Sequence, residues 1–192
     1  MKQKMKTKDL IYAGAFAALY IVIMFIIVMA CGAVPILYLI TPLLVGIVDG
    51  TVYLLYTTKV QKTGAILILA VLFGLVTSTN HITSLFIAMI AGIIAELIVR
   101  AGDYKSRKLY GISYLVFNIS MCGPFTMLII AKQQFIDSCI PYYGQEYADK
   151  LSAMTPNWIV LVLIGLAIVG AAIGVLIGNH FMKKHFEKAG IV

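Results

Sequence analysis

Long apolar runs separated by short polar breaks dominate the chain. They predict six membrane-spanning helices, each near the ~20 residues that cross about 30 Å of hydrocarbon. The stretch from Ile21 to Cys31 is almost uninterrupted apolar sequence, unlike the alternating pattern of a transmembrane barrel. The third span is the shortest, so we expect it either to begin near Gln61 or to stop below the outer surface. The predicted spans cover residues 10–31, 36–57, 63–78, 82–101, 108–131 and 157–182.

The connection between the fifth and sixth spans, residues 132–156, is far longer than the usual connection of about 4–6 residues. Within it Tyr147, Leu151 and Met154 recur at helical spacing beside charged residues. This pattern predicts an amphipathic helix on the membrane surface. Pro141 to Gly144, just before it, is typical of a turn. We therefore expect this connection to form an outer lid.

The basic residues predict the orientation. Of the 15 Lys and Arg residues, only Lys132 and Lys150 fall on the side of the 132–156 connection. Because cytoplasmic loops retain basic residues, both termini are predicted to be cytoplasmic. The fold class is thus an all-α membrane protein, with residues 1–192 forming one compact six-helix domain. The net charge of +7 comes with no basic stripe in a soluble segment, so no nucleic-acid partner is predicted.

Several kinds of chemistry lack their motifs. The chain has no Gly-Lys pair and hence no phosphate-binding loop, and it has no hydrolase elbow or metalloprotease motif. The cysteines and histidines are not spaced as zinc ligands, so we predict no metal, no cofactor and no catalysis by this chain. An intramembrane enzyme stays an unsupported alternative. Whether Cys31 and Cys139 pair is left open.

Small residues line one side of two predicted spans. Such strips let helix backbones approach closely in lipid, either inside the bundle or at a partner subunit. In the sixth span we expect internal packing, whereas in the first span both interpretations stand. The residues are Ala13 and Ala17 on one face of the first span, Gly14 and Ala18 on the adjacent face, and Gly170, Gly174 and Gly178 in the sixth.

Three polar residues lie deep in the predicted spans, where such groups face the protein interior or water. Glu96 precedes Arg100 by four residues, the favourable order for a structural ion pair. Asp49 has no partner within a helical turn, and structural and functional roles are equally open for it. Asn118 lies one turn before Gly123-Pro124, which should interrupt the helix, so we expect its amide to line a cavity.

Aromatic, imidazole and amide side chains gather at the predicted outer surface. Together they suggest the rim of a small-molecule pocket, while Asp49 and Glu96 lie too far inward to contact a ligand. The predicted substrate-binding residues are Asn80, His81, Asn118, Tyr142, Tyr143 and Trp158.

The Ala13-x-x-x-Ala17 strip, the six spans and the cytoplasmic termini resemble the S-components of energy-coupling factor (ECF) importers. The tail Lys183 to Ile191, the Ala91–Glu96 run and the Tyr147–Leu151 segment resemble more narrowly the Trep_Strep (MptD-type) S-components. This resemblance implies a bacterial plasma-membrane subunit that captures a vitamin-like or cofactor-like micronutrient. It implies a coupling transmembrane subunit and two cytoplasmic ATPases as partners, with a coupling seam at Ala13, Gly14, Ala17 and Ala18.

Two further interpretations remain. Haem or another tetrapyrrole is an alternative substrate, because His81, Tyr142 and Tyr143 could supply an axial ligand. An ion-coupled secondary transporter or channel is the alternative class, and copurification with an ATPase would distinguish it from an ECF subunit.

Overall fold

A computed structural model describes residues 5–79 and 81–186, and the regular elements in this part of the chain are all helices. Two 3-10 segments, Asn118–Cys122 and Pro124–Thr126, separate α6 from α7, and a π-helical turn, Met182–Phe186, follows α10. The α-helices are α1 Thr7–Gly32, α2 Pro35–Leu39, α3 Thr41–Lys59, α4 Ala65–Thr77, α5 Thr83–Ala101, α6 Arg107–Phe117, α7 Met127–Ile130, α8 Lys132–Tyr143, α9 Gln145–Met154 and α10 Ile159–Phe181.

The described helices provide three to four candidate membrane spans by length and composition. Helices α1, α5 and α10 are each long and apolar enough. The segments Arg107–Cys122 and Pro124–Ile130 meet at a bend of 46° and give the fourth if they act as one broken span. Helix α4 has 13 residues and rises only about 20 Å. Six spans and cytoplasmic termini therefore stay predictions.

Helix α3 is less apolar than α1 and α10, the two helices that it contacts most, and more than half of its residues are buried. Its buried residues include Thr41, Asp49 and Thr57. It packs backbone to backbone against α10: a Cβ on Gly174 would lie 2.1 Å from the Gly46 carbonyl oxygen. A Cβ on Gly50 would lie 2.5 Å from the Gly174 carbonyl carbon. The predicted internal packing of the small-residue face of the sixth span is thereby confirmed.

The strip of small residues on α1 is divided between the interior and the surface. Ala13 and Ala17 are fully buried in the core of the chain itself, so in this conformation neither can contact a separate subunit. Gly14 is half-buried and Ala18 exposed, and a Cβ on Gly14 would meet no atom within 4 Å. Helix α1 is the most peripheral span, with 17% of its most apolar window buried against 39% in both α5 and α10.

The connection 132–156 folds as a helical hairpin rather than as a turn followed by one helix. Pro141 lies inside α8, and the chain reverses at Gly144, whose φ of 84° favours glycine. The apolar faces of α8 and α9 join α2, the broken helix and the start of α10 in a second apolar cluster. Lys132 fastens the hairpin, because its Nζ donates to the carbonyl oxygens of Ser152 (2.9 Å) and Thr155 (2.6 Å).

Glu96 is structural, but its hydrogen bonds do not go to Arg100. Its carboxylate accepts from the backbone N–H groups of Gly64 (2.7 Å) and Ile66 (3.0 Å). It also accepts from the Tyr104 hydroxyl (2.7 Å). A carboxylate at the first turn of α4 satisfies N–H groups that have no partner inside the helix. Glu96 thus joins α5 to the beginning of α4.

Candidate functional site

A cleft of about 130 Å³ lies at the end of the bundle that carries the lid hairpin. It is bounded by the second half of α1, by α2, by the end of α4 and by the break that follows α6. Most of its walls are apolar. The lining residues are Met24, Phe25, Val28, Tyr38, Thr41, Val76, Thr77, Thr79, Met121, Pro124 and Phe125.

The break at Gly123-Pro124 forms one wall of this cleft. Proline has no N–H and cannot continue the helical hydrogen-bond pattern, and the two halves meet at 46°. Gly123 lets the broken segment approach α5, since a Cβ there would lie 3.0 Å from the Cα of Ser84. The ring of Phe125 then packs 5.0 Å from the ring of Tyr38. The cleft therefore lies against the break at which the sequence predicted a cavity.

Hydroxyl groups supply the polar character of the cleft. Thr41 donates to the Tyr38 carbonyl oxygen at 2.7 Å and Thr77 to the Phe73 carbonyl oxygen at 2.9 Å. Each hydroxyl oxygen keeps lone pairs that can accept a hydrogen bond from a ligand. The described lining includes no Asp, Glu, Lys, Arg or His. The site is suited to a small, uncharged and largely apolar molecule with a few donor groups.

Asn118 does not line the cleft but holds helices together beneath it. Its Nδ2 donates to the carbonyl oxygens of Pro42 on α3 (3.0 Å) and Ala167 on α10 (2.8 Å). The side chain is fully buried, and its Oδ1 has no hydrogen-bond partner within residues 5–79 and 81–186. Its amide donors are thus used between helices, and its role in substrate binding stays a prediction.

The other described residues of the predicted rim are not brought together at the cleft. The Nδ1 of His81 accepts from the N–H of Thr83 at 3.2 Å at the start of α5. Tyr143 stacks on Tyr147 at 4.6 Å, and its hydroxyl would lie 3.1 Å from a Cβ on Gly32. The described rim residues therefore form a hydrogen bond at the start of α5, form contacts within the lid hairpin, or lie exposed at the surface. Tyr142 and Trp158 are 83% and 61% exposed, and Asn80 lies outside the described residues.

Sequence reasoning missed the residues that do line the cleft. Met24, Tyr38, Thr41 and Thr77 carry no signal of their own, since a methionine or a threonine in an apolar run is ordinary core sequence. The available signal was positional. The short third span and the Gly123-Pro124 break both predicted a space in the outer half, and these residues are the ones adjacent to it.

A comparison of the sequence with known protein families identifies the family of this chain. The sequence matches, over residues 7–188, the family described as a hypothetical bacterial integral membrane protein (Trep_Strep). The chain belongs to the Trep_Strep family. It is a multi-pass bacterial membrane protein, in agreement with its apolar helices. No curated protein and no solved structure matches it.

A separate group of polar side chains lies deeper in this Trep_Strep chain. Asp49 is fully buried, and in the described part of the chain its carboxyl oxygens have no hydrogen-bond partner. Nearby, the Tyr114 hydroxyl donates to the carbonyl oxygen of Gly46, three residues before Asp49 on α3, at 3.0 Å. None of these groups reaches the cleft, so Asp49 is separate from the candidate binding site.

Proposed function

We propose that the chain is the substrate-capture subunit of an ECF-type importer. It would bind a small micronutrient from outside and deliver it inward with a coupling subunit and two cytoplasmic ATPases. The observation that supports this most is the cleft itself, which lies at the end of the bundle that carries the lid hairpin and against a broken helix. A capture subunit needs such a site on one side of the membrane.

The packing beneath the cleft favours capture over conduction. The backbones of α3 and α10 are in contact at Gly46 and Gly174, and Asn118 joins these two helices to the start of the broken segment. A channel or a rocking transporter needs two bodies that separate around the site. A unit fastened in this way instead moves as one body, as a subunit that tilts against a partner would.

The cleft also limits the class of substrate. Its volume of about 130 Å³ is well below the roughly 300–1,000 Å³ of pockets that enclose drug-sized ligands. A tetrapyrrole is larger than such ligands, which disfavours the haem alternative. His81 is engaged at the start of α5, and Tyr142 projects into solvent. We favour a compact, neutral, vitamin-like molecule that donates hydrogen bonds to Tyr38, Thr41 or Thr77.

The exposed small residues of α1 are the proposed coupling seam. Ala13 and Ala17 are buried inside the bundle. Gly14 and Ala18, four residues apart on α1, remain accessible at the surface of the bundle. This spacing allows a helix of another subunit to approach closely, and van der Waals packing drives such contacts in lipid. The proposed interface is thus narrower than the four residues implied by the resemblance.

The test is copurification of the chain with the coupling subunit and both ATPases after coexpression. Gly14→Leu should remove most of the partner, because a large side chain would hold the backbones apart. Gly165→Leu on α10 is the matched control, since a Cβ at either glycine meets no atom within 4 Å. Equal recovery with both variants would exclude the seam. Failure of the unmodified chain to copurify any ATPase would exclude the ECF assignment.

A second candidate is an ion-coupled secondary transporter, favoured by the buried Asp49, whose carboxyl oxygens have no hydrogen-bond partner within residues 5–79 and 81–186. Intramembrane carboxyl groups commonly mark proton or cation pathways. Uptake by the purified chain alone in proteoliposomes, driven by an ion gradient and lost in Asp49→Asn, would support this candidate. Uptake that requires the ATPases and persists in Asp49→Asn would exclude it.

A further inference from the structure

A second and larger cavity lies at the opposite end of the bundle from the cleft. It is a groove of about 590 Å³ between α6 and α10. Its lining changes along its length from basic residues at the mouth to apolar residues toward the middle of the helices. The lining residues are Arg107, Lys108, Gly111, Ile112, Leu115, Ala172, Val175, Leu176, Asn179 and Lys183.

Small residues create this groove. A Cβ on Gly111 would lie 2.9 Å from Cγ1 of Val175, so the two helices are in close contact at its floor. Ala172 fills little space farther along α10 and is half-buried, while Ile112 and Leu176 at the sides are exposed. From Arg107 to Leu115 the groove follows α6 for about 12 Å. It is therefore a groove on the surface of the bundle whose part away from the basic mouth is apolar.

Two of the basic residues at the mouth of the groove lie at a helix N-terminus, where acidic residues are normally favoured. Arg107 and Lys108 occupy the first turn of α6, which has no acidic residue, although the positive end of the helix dipole favours acidic groups there. Lys183 adds a third exposed cation from the end of α10, and Asn179 adds an amide one turn earlier. Three basic side chains and one amide thus lie together at this end of the groove.

We propose that this groove binds an anionic phospholipid, with the phosphate at Arg107, Lys108 and Lys183 and one acyl chain along the apolar part. A basic mouth that continues into an apolar groove at membrane depth is complementary to such a lipid in both charge and polarity. On the predicted topology the lipid belongs to the cytoplasmic leaflet. The inference is independent of the cleft and of the importer assignment.

The test compares lipid binding by native mass spectrometry of the purified chain. The probes are phosphatidylglycerol, phosphatidylcholine and water-soluble glycerol 3-phosphate. We expect a clear preference for phosphatidylglycerol and weak binding of glycerol 3-phosphate. Each basic side chain near an anionic lipid contributes about fivefold to binding. The triple variant Arg107→Gln, Lys108→Gln, Lys183→Gln should therefore weaken phosphatidylglycerol binding by at least about tenfold.

The matched control removes the same charge elsewhere. Lys8→Gln, Lys105→Gln, Lys184→Gln changes three exposed lysines that do not line the groove and should keep the preference. Equal losses in the two triple variants would show general attraction to a basic protein and would overturn the proposal. So would equal binding of glycerol 3-phosphate and phosphatidylglycerol, because the site would then recognise a free anion.

Filling the apolar part tests the acyl chain separately. Ala172→Phe, with Ala172→Leu as a milder variant if the first does not fold, should weaken phosphatidylglycerol binding while every charge remains. Unchanged lipid binding in a folded variant would overturn the proposal. Unchanged lipid binding together with loss of a copurifying partner would overturn it in favour of a protein helix in the groove.

Discussion

Replacing Asn118 with Ala distinguishes a structural amide from a substrate-binding one. Its Nδ2 hydrogen bonds to the Pro42 and Ala167 carbonyl oxygens, at 3.0 and 2.8 Å, join α3 and α10 to the broken helix. Interhelical hydrogen bonds in membranes contribute about 0.6 kcal/mol on average and at most about 1.7 kcal/mol. Loss of both bonds should therefore lower the free energy of unfolding by about 1 to 3 kcal/mol.

The assay is unfolding of the purified protein in a titration with SDS, followed by far-UV circular dichroism. Asn157→Ala removes an exposed amide at the start of α10 and is the control. Asn118→Asp keeps the shape but replaces the donor by an acceptor facing two carbonyl oxygens, so it should destabilise at least as much as Asn118→Ala. The affinity of the folded fraction for a cleft ligand should not change.

One result would refute this reasoning. In this result Asn118→Ala would unfold at the same SDS concentration as Asn157→Ala, while the ligand affinity of Asn118→Ala would be lower by tenfold or more. The amide would then bind substrate, and the cleft would be the wrong site. Loss of stability with unchanged affinity would support the assignment of Asn118 as a structural residue.

Two further predictions concern the lid and the central helix pair. Lys132→Met removes two charge-assisted hydrogen bonds, to the carbonyl oxygens of Ser152 in α9 and of Thr155 just after it. The free energy of local opening of α9 should therefore fall by about 1.5–3 kcal/mol, and amide hydrogen exchange in this helix should accelerate accordingly. Lys150→Met should change exchange little, because the ion pair of Lys150 is exposed to solvent. Gly174→Leu should yield no folded protein by size-exclusion chromatography, since its Cβ would lie 2.1 Å from a backbone oxygen. Gly165→Leu should elute as the unmodified protein, and a folded Gly174→Leu variant would contradict the close packing of α3 and α10.

Sequence reasoning predicted elements better than it predicted side-chain partners. The sixth-span glycines were expected to pack internally, and they do, because a repeated small residue has little other use on so apolar a helix. The helix break at Gly123-Pro124 could also be predicted from the sequence, because proline removes a backbone hydrogen-bond donor wherever it occurs. Both predictions depend only on the residues within one segment of the chain.

The sequence did not decide contacts between segments that are distant along the chain. Ala13 and Ala17 could have met either a partner or the chain's own core, and only the packing of α1 decides between them. The Asn118 amide finds its acceptors 76 and 49 residues away, and Glu96 finds Gly64 and Ile66 rather than its neighbour Arg100. A polar group in a span must find a partner, but the spacing does not say which one.

The length of α4 determines the medium through which a ligand approaches the cleft. Glu96 fixes the first turn of this helix from α5, so in the proposed six-span arrangement the missing length lies at its far end. A helix of about 20 Å leaves about 10 Å of the hydrocarbon layer uncovered. Water that enters this depression meets Thr77 and Thr79 first. If the proposed function holds, a micronutrient would then reach the cleft by diffusion through water and would not need to partition into lipid.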